Sequence, residues 1–77
     1  MSIEKIMIEA LRERYRAKIK EAHAVIKIYL KNPVGIGDHP DFLSVIDSQL
    51  AKAAEADDKL VALEEYLHCQ EGHERST

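Results

Sequence analysis

Asn32-Pro33-Val34-Gly35-Ile36-Gly37-Asp38-His39-Pro40 is the one break between two long stretches that contain neither glycine nor proline. Its reading decides the fold. Asn32 precedes a proline, which pushes it out of the α region, so a helix arriving from the N-terminal side stops there. Gly35 and Gly37 permit a positive φ where the chain reverses. Pro40 suits the first turn of a new helix, because its missing N–H would have had no partner there. Asp38 is the expected cap of that helix, and Asp41 adds negative charge near its start.

Working back from the break, Ile8, Leu11, Tyr15, Ile19, Ala22, Ile26 and Tyr29 recur at spacings of three and four. That spacing draws one apolar stripe along an α-helix. Ser2 is placed to cap it, Glu4 and Glu9 lie near its positive end, and Lys27 and Lys31 lie near its negative end. Working forward, Phe42, Ile46, Leu50, Ala53, Ala56, Leu60, Leu63 and Leu67 draw a second stripe. The sequence therefore predicts an all-α fold, an antiparallel two-helix hairpin over residues 1–69. Its helices cover 2–31 and 40–69, its loop 32–39, and residues 70–77 form a polar, fraying tail in which Gly72 is a helix stop.

Closing the chain near Ile36 sets Leu30 against Phe42, Ile26 against Ile46, Ala22 against Leu50 and Leu11 against Leu60. The bulky Tyr15 then lies near the small Ala53 and Ala56, as close packing requires. Charge supports this closure. Residues 1–31 hold eight Lys/Arg against four Glu, a balance of +4, and residues 32–77 hold three against ten Asp/Glu, a balance of −7. The same register sets Arg12, Arg14, Arg16 and Lys18 near Glu55, Asp57 and Asp58. Exposed pairs of this kind choose orientation more than they add stability.

A chain of 77 residues forms one domain at most and buries a modest share of its surface alone. Such chains lean on disulfides, a metal or oligomerisation. Cys69 is the single cysteine, so no disulfide closes within the chain, and a lone thiol fits a reducing compartment. Val25, Ile28, Val45, Val61 and Tyr66 lie off the main stripes, which gives each helix a wider apolar face than one partner covers. A second copy, completing a four-helix bundle of coiled-coil type, is the simplest cover. A groove on an unknown protein partner is the other. Interaction is accordingly assigned to Val25, Ile28, Val61 and Tyr66, together with Val34 and Ile36 of the loop. No stretch of about 18 apolar residues exists to span a membrane, and the early charges of the N-terminal segment do not fit a signal peptide. The expected location is the cytoplasm.

Several residues suggest sharper chemistry, and each has a plainer reading. The glycine-containing loop before a helix start could cradle phosphate, but no strand precedes it, no lysine follows, and Asp38 puts negative charge where the anion would sit. A turn with a capped helix is the better reading. His68, Cys69 and His73 could suggest zinc, yet the spacing of four ligands is missing and adjacent helical residues point apart. His23, at the seam's edge, reads as a boundary residue. No metal or other cofactor is assigned. Ser44 and Ser48 with His39 could suggest a nucleophile and base, but a helical hairpin offers no concave pocket that excludes water, and Asp57-Asp58 and Glu64-Glu65 read as a solvated face. The expectation is a protein that is not an enzyme. Nucleic-acid contact through Arg12, Arg14, Arg16, Lys18 and Lys20 is the alternative function. Alternate residues on a helix do not share a stripe, however, and Glu9, Glu13 and Glu21 interrupt the cluster.

The loop Asn32-Pro33-Val34-Gly35-Ile36-Gly37-Asp38-His39-Pro40-Asp41, with Ala54-Glu55-Ala56-Asp57-Asp58-Lys59-Leu60 downstream, resembles short helical proteins of large contractile-tailed bacteriophages, including cyanophages. The resemblance covers residues 10–67. It implies a phage origin and a role in the cytoplasm of an infected bacterium, and it carries no catalytic residue. The expected function is a small helical scaffold, adaptor or host-directed accessory protein acting through protein–protein contact. The alternative is an accessory factor in nucleic-acid transactions.

Overall fold

The computed structural model describes residues 2–31 and 41–71. Helix α1 spans Ile3–Lys31 and helix α2 spans Phe42–Glu71. The two pack against each other as an antiparallel hairpin. Tyr29 near the end of α1 meets Phe42 at the start of α2, with ring centroids 5.9 Å apart and edge to face. Toward the other end, Arg12 meets Glu64.

Ser2 caps α1. The Lys5 N–H, one of the donors left over at a helix start, donates to Ser2 Oγ at 3.1 Å, and the Ser2 carbonyl accepts the first helical bond, from the Ile6 N–H at 3.2 Å. At the start of α2 the equivalent carbonyl belongs to Asp41, which accepts from the Val45 N–H at 3.3 Å. Asp41 therefore holds the cap position expected of Asp38. Asp38, the loop glycines with their expected positive φ, Val34, Ile36, His39 and Pro40 lie outside the described residues. At its far end α2 runs through Gln70 and Glu71, two residues past the expected helix end at 69. Both are good helix formers, and the chain meets its first strong breaker only at Gly72. His73 and the rest of the tail lie outside the described residues.

The half-buried and buried positions of α1 are Ile8, Leu11, Arg12, Tyr15, Ile19, Ala22, Val25, Ile26 and Tyr29, which contains the whole predicted stripe. In α2 the inward line is Phe42, Ile46, Gln49, Ala53, Ala56, Leu60, Leu63 and Leu67, flanked by Val45 and Glu64. Leu50, expected on the seam, is 52% exposed, and Leu30, expected on Phe42, is 65% exposed. Gln49 and Tyr29 take their places. The reason lies in the period. Steps of four and three that alternate strictly, as in 42, 46, 49, 53, 56, 60, 63 and 67, give a mean of 3.5 residues per turn, the repeat of wound helix pairs. Leu50 breaks that alternation by one residue, about 100° round the helix.

The centre of the seam is small. Ala22, Ala53 and Ala56 are 1%, 8% and 2% exposed, and among the described residues no large side chain is fully buried. Alanine at facing positions lets the backbones approach and lets neighbouring side chains close over them. Two helices have one seam between them, however, and every larger residue on it keeps an edge in water.

Candidate functional site

On a right-handed helix one residue of advance is a rotation of about 100°. In an antiparallel pair, the residue that follows a seam position turns to the same side of the hairpin on both helices. Following Ile8, Tyr15, Ala22 and Tyr29 are Glu9, Arg16, His23 and Leu30. Following Phe42, Gln49, Ala56 and Leu63 are Leu43, Leu50, Asp57 and Glu64. These eight residues form one face, and the ion pairs confirm the placement. Glu9 from α1 and Glu64 from α2 both reach the guanidinium of Arg12.

Among the described residues, Arg12 makes the side-chain hydrogen bonds that join the two helices. Arg12 occupies a slot of the seam that an apolar residue would otherwise fill. Its Nε donates to Glu64 Oε2 at 2.6 Å and its Nη2 to Glu64 Oε1 at 2.9 Å, the two-pronged geometry that makes arginine–carboxylate pairs specific. Arg12 Nη1 also reaches Glu9 Oε2 at 3.2 Å. The hydrogen bonds from Arg12 hold the Glu64 carboxyl below its ordinary pKa, desolvation works against them, and the charges of Arg12 and Arg16 add to the lowering. The hydrogen bond to Glu64 likewise raises Arg12, against desolvation, and the charges of Glu64 and Glu9 reinforce it. With side chains 25% and 43% exposed, the pair is partly screened by water and serves orientation before stability.

The charge pairing expected from sequence is thereby corrected. Among the described residues no ion pair joins Arg14, Arg16 or Lys18 to Glu55, Asp57 or Asp58. Glu55 pairs along its own helix with Lys59 at 3.5 Å. Arg12, the first member of the candidate phosphate-binding cluster, has its donors committed to two carboxylates. Arg14, Arg16, Lys18 and Lys20 are exposed. Lys18 lies across the opposite face of the hairpin, where it lines a cleft of about 520 Å³ with Glu21, Lys52, Glu55 and Lys59 over the floor of Ala22 and Ala56. Charges of both signs alternate round that cleft, so it presents no single-sign surface to a phosphate backbone.

Of the residues assigned to interaction, Ile28, Val61 and Tyr66 are exposed and Val25 is half-buried; Val34 and Ile36 lie outside the described residues. Sequence reasoning missed Leu30, Leu43 and Leu50, which gather at the end of the hairpin where α1 finishes and α2 begins. The signal was present: a strict 3.5-residue seam through Tyr29, Phe42 and Gln49 leaves each of these leucines one step off it. Among the described residues, no three His, Cys, Asp or Glu side chains stand together as a metal site. His68 and Cys69 instead border a shallow apolar surface with Leu60 and Val61. Ser44 and Ser48 are exposed on α2, and none of the described helices is long and apolar enough to cross a membrane. No protein-family model, curated protein or solved structure matches this chain.

Proposed function

We propose that this chain is a non-enzymatic helical scaffold or adaptor that works by protein–protein contact, beginning with a second copy of itself. One observation carries the reading. The described residues bury only three alanines, while Ile3, Ile6, Met7, Ile28, Leu30, Leu43, Leu50, Val61 and Tyr66 stay between 47% and 81% exposed. Full burial of one side chain of that size contributes about 1.5–3 kcal/mol, so covering a few of them outweighs what the alanine seam supplies. Patches of apolar side chains rimmed by charge are characteristic of association surfaces. Two hairpins joined face to face make a four-helix bundle, which gives each helix a second neighbour. The likeness to phage proteins supplies a setting, the cytoplasm of an infected bacterium, in which the assembled bundle meets its target.

Sedimentation equilibrium across the micromolar range tests the reading. A mass of two chains, falling to one on dilution with loss of helicity, is the expected result. A compact monomer that keeps its full helicity at every concentration would refute it.

A further inference from the structure

Self-association leaves open which face meets the second copy and in which direction the copies point. We propose that the second copy docks on the face bearing Leu30, Leu43 and Leu50, with both hairpins pointing the same way and α1 of each against α2 of the other. The proposal rests on the self-association reading and goes beyond it.

The lengthwise arrangement of that face selects the direction. Leu30, Leu43 and Leu50 are 65%, 81% and 52% exposed at the end where Tyr29 meets Phe42. The Glu9–Arg12–Glu64 cluster occupies the same face toward the other end. Two copies pointing the same way put leucines on leucines and ion cluster against ion cluster, where each copy's Arg12 is already paired with its own Glu9 and Glu64. Two copies pointing opposite ways put the leucines of each on the charges of the other, and burying charged groups against hydrocarbon is costly.

Charge along the flanks makes the same selection. The outer edge of this face carries Lys20 and Lys27 on α1 and Asp47 and Ala54 on α2. Tyr29 level with Phe42 and Arg12 near Glu64 fix the heights within one hairpin. Copies that share a direction keep those heights. Lys27 then stands level with Asp47 of the second copy, Arg16 with its Asp57, Leu30 with its Leu43, and Glu9 with its Glu64, a like-charge pair offset by the Arg12 that each copy already holds beside them. Opposed copies with like helices abutting would set Asp47 near Glu64 of the second copy and Lys20 near its Arg16, two repulsive pairs. Complementary and repulsive charges of this kind decide orientation in helix assemblies.

Cys69, the single cysteine, is exposed near the end of α2 and serves as a reporter. A nitroxide on Cys69 of the full chain, read by pulsed electron paramagnetic resonance, measures the separation between copies. Shared direction brings both labels to one end, about 20–35 Å apart across a bundle of helices spaced roughly 8–10 Å. Opposed direction separates them by about 40 Å or more, from 27 residues of helix at about 1.5 Å each between positions 42 and 69. A dimer with the long separation overturns this proposal and leaves self-association standing. A monomer without dipolar coupling overturns both.

Variants give a second reading. Leu43→Glu should weaken dimerisation by roughly a hundredfold, because so exposed a side chain contributes little to its own hairpin. Unchanged dimerisation would mean that another face is used. Lys27→Glu and Asp47→Lys should each weaken the dimer by roughly twofold to fivefold, and together restore it. Failure of the double variant to recover would rule out the pairing.

Discussion

Single residues in the seam set how closely the two helices approach. Ala22 and Ala56 are 1% and 2% exposed, so neither site holds room for a branched side chain. Ala56→Leu should destabilise the fold by about 1–3 kcal/mol, seen as a lower melting temperature, because added methylenes in a packed seam force strain. Arg12 and Glu64 make a different kind of statement. The folded protein lowers the Glu64 pKa, so the unfolded chain binds a proton there more readily. The resulting stabilisation is present above the ordinary glutamate pKa and is lost as pH falls through the lowered folded value. Thermal melts should show the native protein above Glu64→Gln near neutral pH, with the gap closing as the pH passes down through the carboxylate range. A gap that stays constant to low pH would mean that the pair contributes nothing through charge. The arginine's place on the seam was hidden in the sequence by its neighbour Leu11, which fits an apolar stripe equally well.

At the scale of the element, caps and period do the work. Ser2 supplies both a side-chain and a backbone acceptor to the first turn of α1. Ser2→Ala should cost about 0.5–2 kcal/mol of local helix stability, detectable as faster amide exchange at Lys5. In α2, Gln49 fills a seam slot between Ile46 and Ala53, where a polar side chain adds little. Gln49→Leu should stabilise the hairpin by roughly 1 kcal/mol, the gain from burying about one further methylene-sized increment. If Gln49→Leu lowers the melting point, the line of the seam through α2 is misplaced. The expectation that Leu50 faces α1 failed for a definite reason. Residues 49 and 50 both lie within reach of a stripe drawn from Ile46 to Ala53, and hydrophobicity chose the leucine. The helix pair chose the residue that keeps the 3.5-residue repeat.

Across the whole molecule, the balance between exposed and buried hydrocarbon governs behaviour. Ile26 and Leu60 are half-buried in the hairpin. Replacing either with alanine should cost about 2–5 kcal/mol only where the site is fully enclosed, hence more in the associated state than in a lone hairpin. The melting temperature should also rise with protein concentration, since association stabilises the folded form by mass action. A melting point independent of concentration over two decades would argue for a self-sufficient monomer. The division of charge, +4 against −7 between the two parts of the chain, acts at this scale as well. Within one hairpin the Arg12–Glu64 pair is the one ion pair between the helices among the described residues, and exposed charges such as Lys27 and Asp47 are available to orient a second copy.

Local information determined the two helices, the break between them, the Ser2 cap and the inward stripe of α1, because spacing, capping and backbone restriction act over a few residues and are written in consecutive letters. The rotation of α2 and the partner of Arg12 were decided only when the helices met. An arginine and a glutamate 52 residues apart find each other through the register of the whole pair, and register is set by where small residues let two backbones come closest. The alanines that fix it, Ala22, Ala53 and Ala56, carry too little hydrophobicity to stand out in a pattern. Their contribution is an absence of volume, which acquires meaning only against the facing helix.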